Sequence, residues 1–287
     1  MATGNVSRVK PGEMLCGREK GEAAMKIEAG ISTACFYPME TEKALADILH
    51  NGVKRVEIFF NAPSELEQGF LRQLNAQLKA ANARVVSIHP FTSGFEPFLF
   101  FQKYERRFRD SLDFYRRYFF AAASLGAKYI VFHGNLQEKA GDPREYFERF
   151  ALLRESSLEQ GVILVQENVN RYCGAKADFL LQMRRYLNDQ VEFTLDLKQS
   201  VLAGEGVEAV YKAMGSRLRH IHISDHGPGE ACLPIGRGHF DFAAFFHRLQ
   251  KDGYQGDMVL ELYRHSYERP EELYHSVRTL QDILSRL

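Results

Sequence analysis

The chain has 287 residues, 45% of them hydrophobic and 26% charged, which is enough to bury a sizeable core. Its 37 basic residues match its 37 acidic ones, so no global field recruits nucleic acid or an anionic membrane. No apolar run approaches the roughly 18 residues of a membrane span. The four cysteines, Cys16, Cys35, Cys173 and Cys232, show no CxxC pair or disulfide spacing, as expected of reduced thiols in a cytoplasmic protein.

Residues 1–24 are polar and rich in Gly, Lys and Glu, without the apolar stretch of a secretory leader. They read as a flexible extension ahead of Met25, with one folded domain over 25–287. Strand-like runs follow at 26–36, 55–60, 84–89, 128–133, 162–168, 192–197, 218–224 and 256–263. They are short, rich in Val, Ile and Phe, and mostly without alternation, the pattern of parallel strands buried on both faces.

Helical spacing fills the gaps. TEKALADILHNG carries Leu45, Ile48 and Leu49 and stops at Gly52. SELEQGFLRQLNAQLKAANA opens on a Ser64-x-x-Glu67 pattern that predicts a capping box. RRFRDSLDFYRRYFFAAASLGA places Phe108, Leu112, Tyr115 and Phe119 on one face and ends at Gly126. Further helices are predicted at 142–160, 175–188, 206–215, 241–252 and 270–285. Strand and helix alternate throughout, which predicts a parallel α/β fold. An open doubly wound sheet would carry a Gly-rich phosphate turn after its first strand. The turn here reads CFYPMETEKA, so the expected architecture is a single closed (β/α)8 TIM barrel.

Four of the later strand-like runs, VILVQENV, EFTLDL, LRHIHISD and DMVLELY, deliver Glu167, Asp196, His222 and Glu261 near their ends. One such residue alone reads as a helix cap. Four on successive strands of a barrel converge on the C-terminal mouth, where barrel chemistry sits. Two Glu, one Asp and one His form an oxygen-rich set suited to a divalent metal such as Mn, Mg, Co or Zn.

The runs Gln166-Glu167-Asn168, Leu195-Asp196-Leu197 and His220-Ile221-His222-Ile223-Ser224-Asp225, with Pro234-Ile235-Gly236-Arg237-Gly238 and Leu260-Glu261-Leu262, resemble the xylose isomerase-like barrel superfamily from about residue 26 onward. That superfamily holds sugar isomerases and epimerases, inosose dehydratases and zinc-dependent apurinic-site endonucleases. The resemblance to the epimerase branch implies a divalent metal on Glu167, Asp196, His222 and Glu261. It also implies that Glu167 and Glu261 act as catalytic acid and base on opposite faces of a sugar or polyol-derived ketone, through an enediolate.

His89, His133, Gln199, Arg237 and Glu57 are then expected at the substrate, with Arg264 and His265 as further candidates. Glu57 reads equally as the partner of a buried basic group, and Arg237 also as a contact to a phosphate, a carboxylate or a surface neighbour. Asn168 and Asp225 are expected to orient ligands, and His220 to be a core histidine one layer deeper. The run FEPFLFF (95–101) reads as an apolar lid, or as packing or a subunit interface; self-association is left open. The nuclease branch carries histidines where this chain has His89 and His133. It departs at Gln199, where that branch has a third histidine, and at Glu230 and Cys232, where it has an Asp-x-His pair. The expected partner is therefore a small sugar or polyol, with neither nucleic acid nor membrane. A dehydratase, and a degenerate barrel that only binds a ligand, remain the other readings.

Overall fold

A computed structural model describes residues 27–287. The expected extension at 1–24, and Cys16 with it, lie outside the described residues. In chain order the barrel strands are β1 (Ala29–Ser32), β2 (Arg55–Phe59), β3 (Arg84–His89), β4 (Tyr129–Phe132), β5 (Ile163–Glu167), β6 (Glu192–Asp196) and β7 (Leu218–Ile223). A two-stranded hairpin follows, β8 (Asp225–Gly227) and β9 (Glu230–Leu233), and then the last barrel strand, β10 (Met258–Leu260). Neighbouring barrel strands run parallel, and β1 pairs with both β2 and β10, so the sheet closes on itself as a (β/α)8 barrel.

The helices wrapping it are α1 (Thr41–His50), α2 (Gln68–Ala81), α3 (Glu96–Phe100), α4 (Glu105–Ser124) and α5 (Pro143–Glu159). They continue as α6 (Ala177–Tyr186), α7 (Leu197–Leu202), α8 (Val207–Met214), α9 (Phe242–Lys251) and α10 (Glu271–Ser285). Each long helix buries one stripe against the strands. In α4 the buried stripe includes Phe108, Tyr115 and Phe119, with Leu112 partly buried; in α10 it includes Leu273, Val277, Leu280 and Leu284. This spacing of three to four residues is that of one helix face.

Three local expectations are corrected. The first strand ends at Ser32, because Thr33–Phe36 turns as a 3-10 helix capped by Ser32 Oγ. The Ser64–Glu67 capping box does not form. Pro63–Leu66 makes its own 3-10 turn, and Glu67 stands at the N-cap of α2 without a side-chain bond. The carboxylate is turned outward to Arg117, at 2.9 Å. The short helices α3 and α7 and the β8–β9 hairpin are additions that the periodicity does not announce.

The barrel interior is unusually polar. Where such barrels stack layers of Val, Ile and Leu, this one buries Glu57, Ser87, Thr194 and His220, beside one small apolar cluster of Val86, Tyr129, Val131 and Val165. Burying so much polarity is costly unless the groups bond to one another. Ser87 Oγ donates to Glu57 Oε2 at 2.7 Å and lies 3.0 Å from His220 Nε2, while Glu57 Oε1, Thr194 Oγ1 and His220 Nδ1 are buried without a hydrogen-bond partner among the described residues.

Candidate active site

Asp196 and His222 lie directly opposite each other across the β6–β7 ladder, and His222 also faces Val259 of β10. Glu167 closes β5, and Glu261 follows β10, its N–H donating to Ile223 O at 3.2 Å. The structure thus brings together one donor atom from each of Glu167, Asp196, His222 and Glu261, all within 4.8 Å of one another.

His222 is the pivot. Its Nε2 lies 3.0 Å from Glu57 Oε2, and its Nδ1 lies 2.9 Å from Glu167 Oε1 and 3.3 Å from Glu261 Oε2. With Nε2–H donated to Glu57, Nδ1 is the nitrogen that faces the cluster, and it becomes a metal donor once its own proton is given up. Burial opposes charge on the ring, but Glu57, Glu261 and Glu167 outweigh it and hold the His222 pKa well above the ordinary value. The same ring holds Glu57 and Glu167 well below the usual carboxylate range, against the effect of burial.

Glu57, read either as a substrate contact or as the partner of a buried basic group, is fully buried with its Oε2 3.0 Å from His222 Nε2. His220 is the deeper core histidine expected. His89 and His133 do stand at the cluster. Their Nε2 atoms are 3.0 Å apart, and His133 Nε2 is 3.0 Å from Glu167 Oε2. That short approach is out of line for a hydrogen bond, so Glu167 Oε2 is a buried oxygen without an aligned partner among the described residues. Phe59 stacks on His89 at 4.7 Å.

Glu96, which the sequence did not single out, fixes the other side. Its carboxylate accepts from His133 N at 2.8 Å, Gly134 N at 2.6 Å and Tyr115 Oη at 2.8 Å, tying α3 to the end of β4. In the FEPFLFF run Phe100 packs into the core, while Phe95 and Phe98 stay exposed.

Asp196 is held by its backbone. Its N–H donates to Asn168 Oδ1 at 2.7 Å, and Asn168 Nδ2 returns a bond to Asp196 O at 3.0 Å. Its side-chain Oδ1 caps α7 by accepting Gln199 N at 2.9 Å. Gln199 itself sits at the rim, donating to Tyr263 Oη at 3.2 Å and accepting Asn170 N at 3.0 Å. Asp225 organises the loop beyond β7 rather than a ligand, accepting from the backbone N–H groups of Gly236, Gly238 and Phe240. Arg237 is not brought to the site; its side chain is 58% exposed and pairs with Glu272 of α10 at 2.7 Å. Arg264 turns back on Tyr267 O at 3.0 Å, and His265 stacks on Tyr263.

The residue most clearly missed is Lys198. Its Nζ bonds both Asp196 Oδ2 and Glu261 Oε2, with the side chain only 3% exposed. Burial disfavours its charge, but Asp196, Glu261 and Glu167 overcome that and hold the amine protonated, well above the ordinary lysine value. The signal available was a lysine two positions after a strand-end Asp, in a segment otherwise reading as barrel core. The donor set of Glu167, Asp196, His222 and Glu261 fits a divalent cation in chemistry and convergence, and the unpartnered Glu167 Oε2 agrees with that fit.

A closed parallel barrel carrying a carboxylate–imidazole cluster at its C-terminal mouth defines a class of enzyme-bearing barrel. The chain belongs to the xylose isomerase-like TIM barrel family, whose model matches residues 45–283. Among its relatives, an uncharacterized protein of Mycobacterium leprae (ML2432) is 25% identical over 294 residues, covering 91% of this chain and 99% of that protein. Fructoselysine 3-epimerase of Escherichia coli O157:H7 is 23% identical over 255 residues, covering 82% and 90%. The crystal structure of a D-tagatose 3-epimerase-like protein superposes with a TM-score of 0.74 at 18% identity, covering 91% of this chain and 98% of the other, a likeness of fold. No helix among the described residues is long and apolar enough to cross a membrane.

Proposed function

We propose that this chain epimerises or isomerises a small sugar or polyol-derived ketone by moving a proton on the carbon beside the carbonyl. The observation that carries the reading is the convergence of Glu167, Asp196, His222 and Glu261 within 4.8 Å at the barrel mouth. A fructoselysine epimerase among the relatives supports the same class of reaction. Glu261 is ionised in the resting site, because Lys198 and His222 overcome the effect of burial and lower its pKa. It is therefore equipped to take the proton, leaving an enediolate. Glu167, which His222 also holds ionised in the resting site, returns a proton to the opposite face only after gaining one from solvent or from the proton that Glu261 has taken. A divalent ion such as Mn, Mg, Co or Zn would be held by Glu167, Asp196, His222 and Glu261, and when bound supplies Lewis acidity to the substrate's oxygens. His89, His133 and Gln199 offer hydrogen bonds to hydroxyl groups around that carbon. Cytoplasmic sugar metabolism is the setting this reading implies.

The test is a panel of ketoses, aldoses and inososes incubated in D2O with Mn2+ and followed by NMR. Deuterium uptake beside the carbonyl is expected, with loss of uptake in Glu261→Gln while the barrel stays folded. Normal turnover in that variant would sink the assignment, and loss of water from an inosose would identify a dehydratase instead. A second reading has one observation behind it: His89, His133 and Glu167 form another convergent donor group, as a multi-zinc nuclease needs. Gln199 and the exposed Glu230 weigh against it, and cleavage of an abasic-site oligonucleotide would restore it.

A further inference from the structure

We propose that Lys198 is a tethered cation occupying the divalent ion's place at Asp196 and Glu261, so that the centre takes up a metal only by expelling the ammonium. The argument rests on shared atoms. Asp196 turns Oδ1 to the helix end, where it accepts Gln199 N at 2.9 Å, and Oδ2 to the cluster. That Oδ2, which faces His222 Nδ1 at 3.8 Å, is bonded to Lys198 Nζ. Glu261 turns Oε2 toward His222 Nδ1 at 3.3 Å, and that oxygen too is bonded to Nζ. A divalent ion held by Asp196 and Glu261 would use the same two oxygens that now bond Nζ. It would meet Nζ at close range, where two cations repel strongly in a site shielded from water.

The lysine is enclosed rather than strayed from the surface, and three carboxylates converge where it sits. Without a cation those carboxylates would repel one another; the ammonium lets the cluster stay assembled before any metal arrives. The Tyr263 ring lies 5.5 Å from Nζ and offers a face toward which the displaced ammonium can move. Lys198 thereby sets how tightly this centre holds a metal, a property that the four ligands alone do not determine.

The inference rests on the quartet being a metal-binding set, and on no particular substrate. The test is calorimetric titration of Mn2+ into chelator-treated wild-type and Lys198→Met chains, with folding checked by circular dichroism. Wild type is expected to bind Mn2+ at least about tenfold more weakly than Lys198→Met, and Mn2+ to raise the melting temperature of the variant more than that of wild type. Equal or tighter binding by wild type, or no binding by a folded variant, overturns the proposal. If Lys198→Met does not fold, Lys198→Gln, which keeps a polar contact to both carboxylates without the charge, takes its place in the same comparison with the same two outcomes. Because no sugar enters the measurement, failure of every substrate in the panel would leave this comparison intact.

Discussion

Replacing Glu57 by glutamine isolates the electrostatic part of how His222 is held. Glu57 is fully buried, and its Oε2 receives Ser87 Oγ at 2.7 Å and stands 3.0 Å from His222 Nε2. Glutamine keeps the size and one acceptor but removes the charge. A charge-assisted bond of about 1.5–3 kcal/mol then becomes a neutral one of about 0.5–1.5 kcal/mol. The difference, about 1–1.5 kcal/mol, corresponds to a roughly five- to twelve-fold loss in kcat/KM at 1.4 kcal/mol per decade. Glu57→Ala goes further, leaving His222 Nε2 without its acceptor and Ser87 with only His220, so nothing fixes the ring's tautomer; a loss of about 10–100-fold is expected. The assay is the initial rate of deuterium uptake over a range of ketose concentrations, with thermal melts run in parallel to separate folding from function. A folded Glu57→Ala variant whose kcat/KM stays within about twofold of wild type would refute the reasoning, because the ring would then be oriented by something else.

Two further outcomes follow from the loop and its surroundings. A Cβ on Gly238 would sit 2.3 Å from Asp225 Oδ1 and 2.3 Å from His226 O, so Gly238→Ala must push the loop off its Asp225 anchor. It is expected to cost about 2 kcal/mol, lowering Tm by roughly 4–8 °C, and an unshifted melt would show that the loop yields freely. Arg237→Ala removes a pair whose arginine end is exposed but whose Glu272 oxygen is buried, so stability should fall by about 1–2 kcal/mol while steady-state kinetics stay unchanged; a tenfold rise in KM would return Arg237 to the substrate.

The barrel was legible because its strands are short apolar runs, and a polar residue at the end of such a run stands out. Glu167, Asp196, His222 and Glu261 were visible for that reason. Glu57 was visible as an anomaly in RVEIFF, but its role depends on a partner 165 positions away in the chain, and spacing carries no information about which strands face each other across a closed sheet. Lys198 was hidden by habit, since lysines are almost never fully buried unless paired, and its pairing becomes clear only when β6 and β10 converge. Glu96 was obscured by the aromatic run around it. The misread start of α2 has a local cause: Pro63 begins a separate turn that absorbs Ser64, so a pattern suited to capping never meets a helix end.

The closure of β1 against β10 also has a consequence for how the protein is made. All four donors come from the second half of the chain, while Glu57, His89 and His133, which brace them, come from the first. The last donor, Glu261, arrives with the strand that seals the cylinder. A ribosome that has released everything up to β9 has therefore produced an open sheet with unpaired edges at β1 and β7 and three of the four donors. Completion of the centre and completion of the fold are one event, so no partly built chain can carry the finished chemistry.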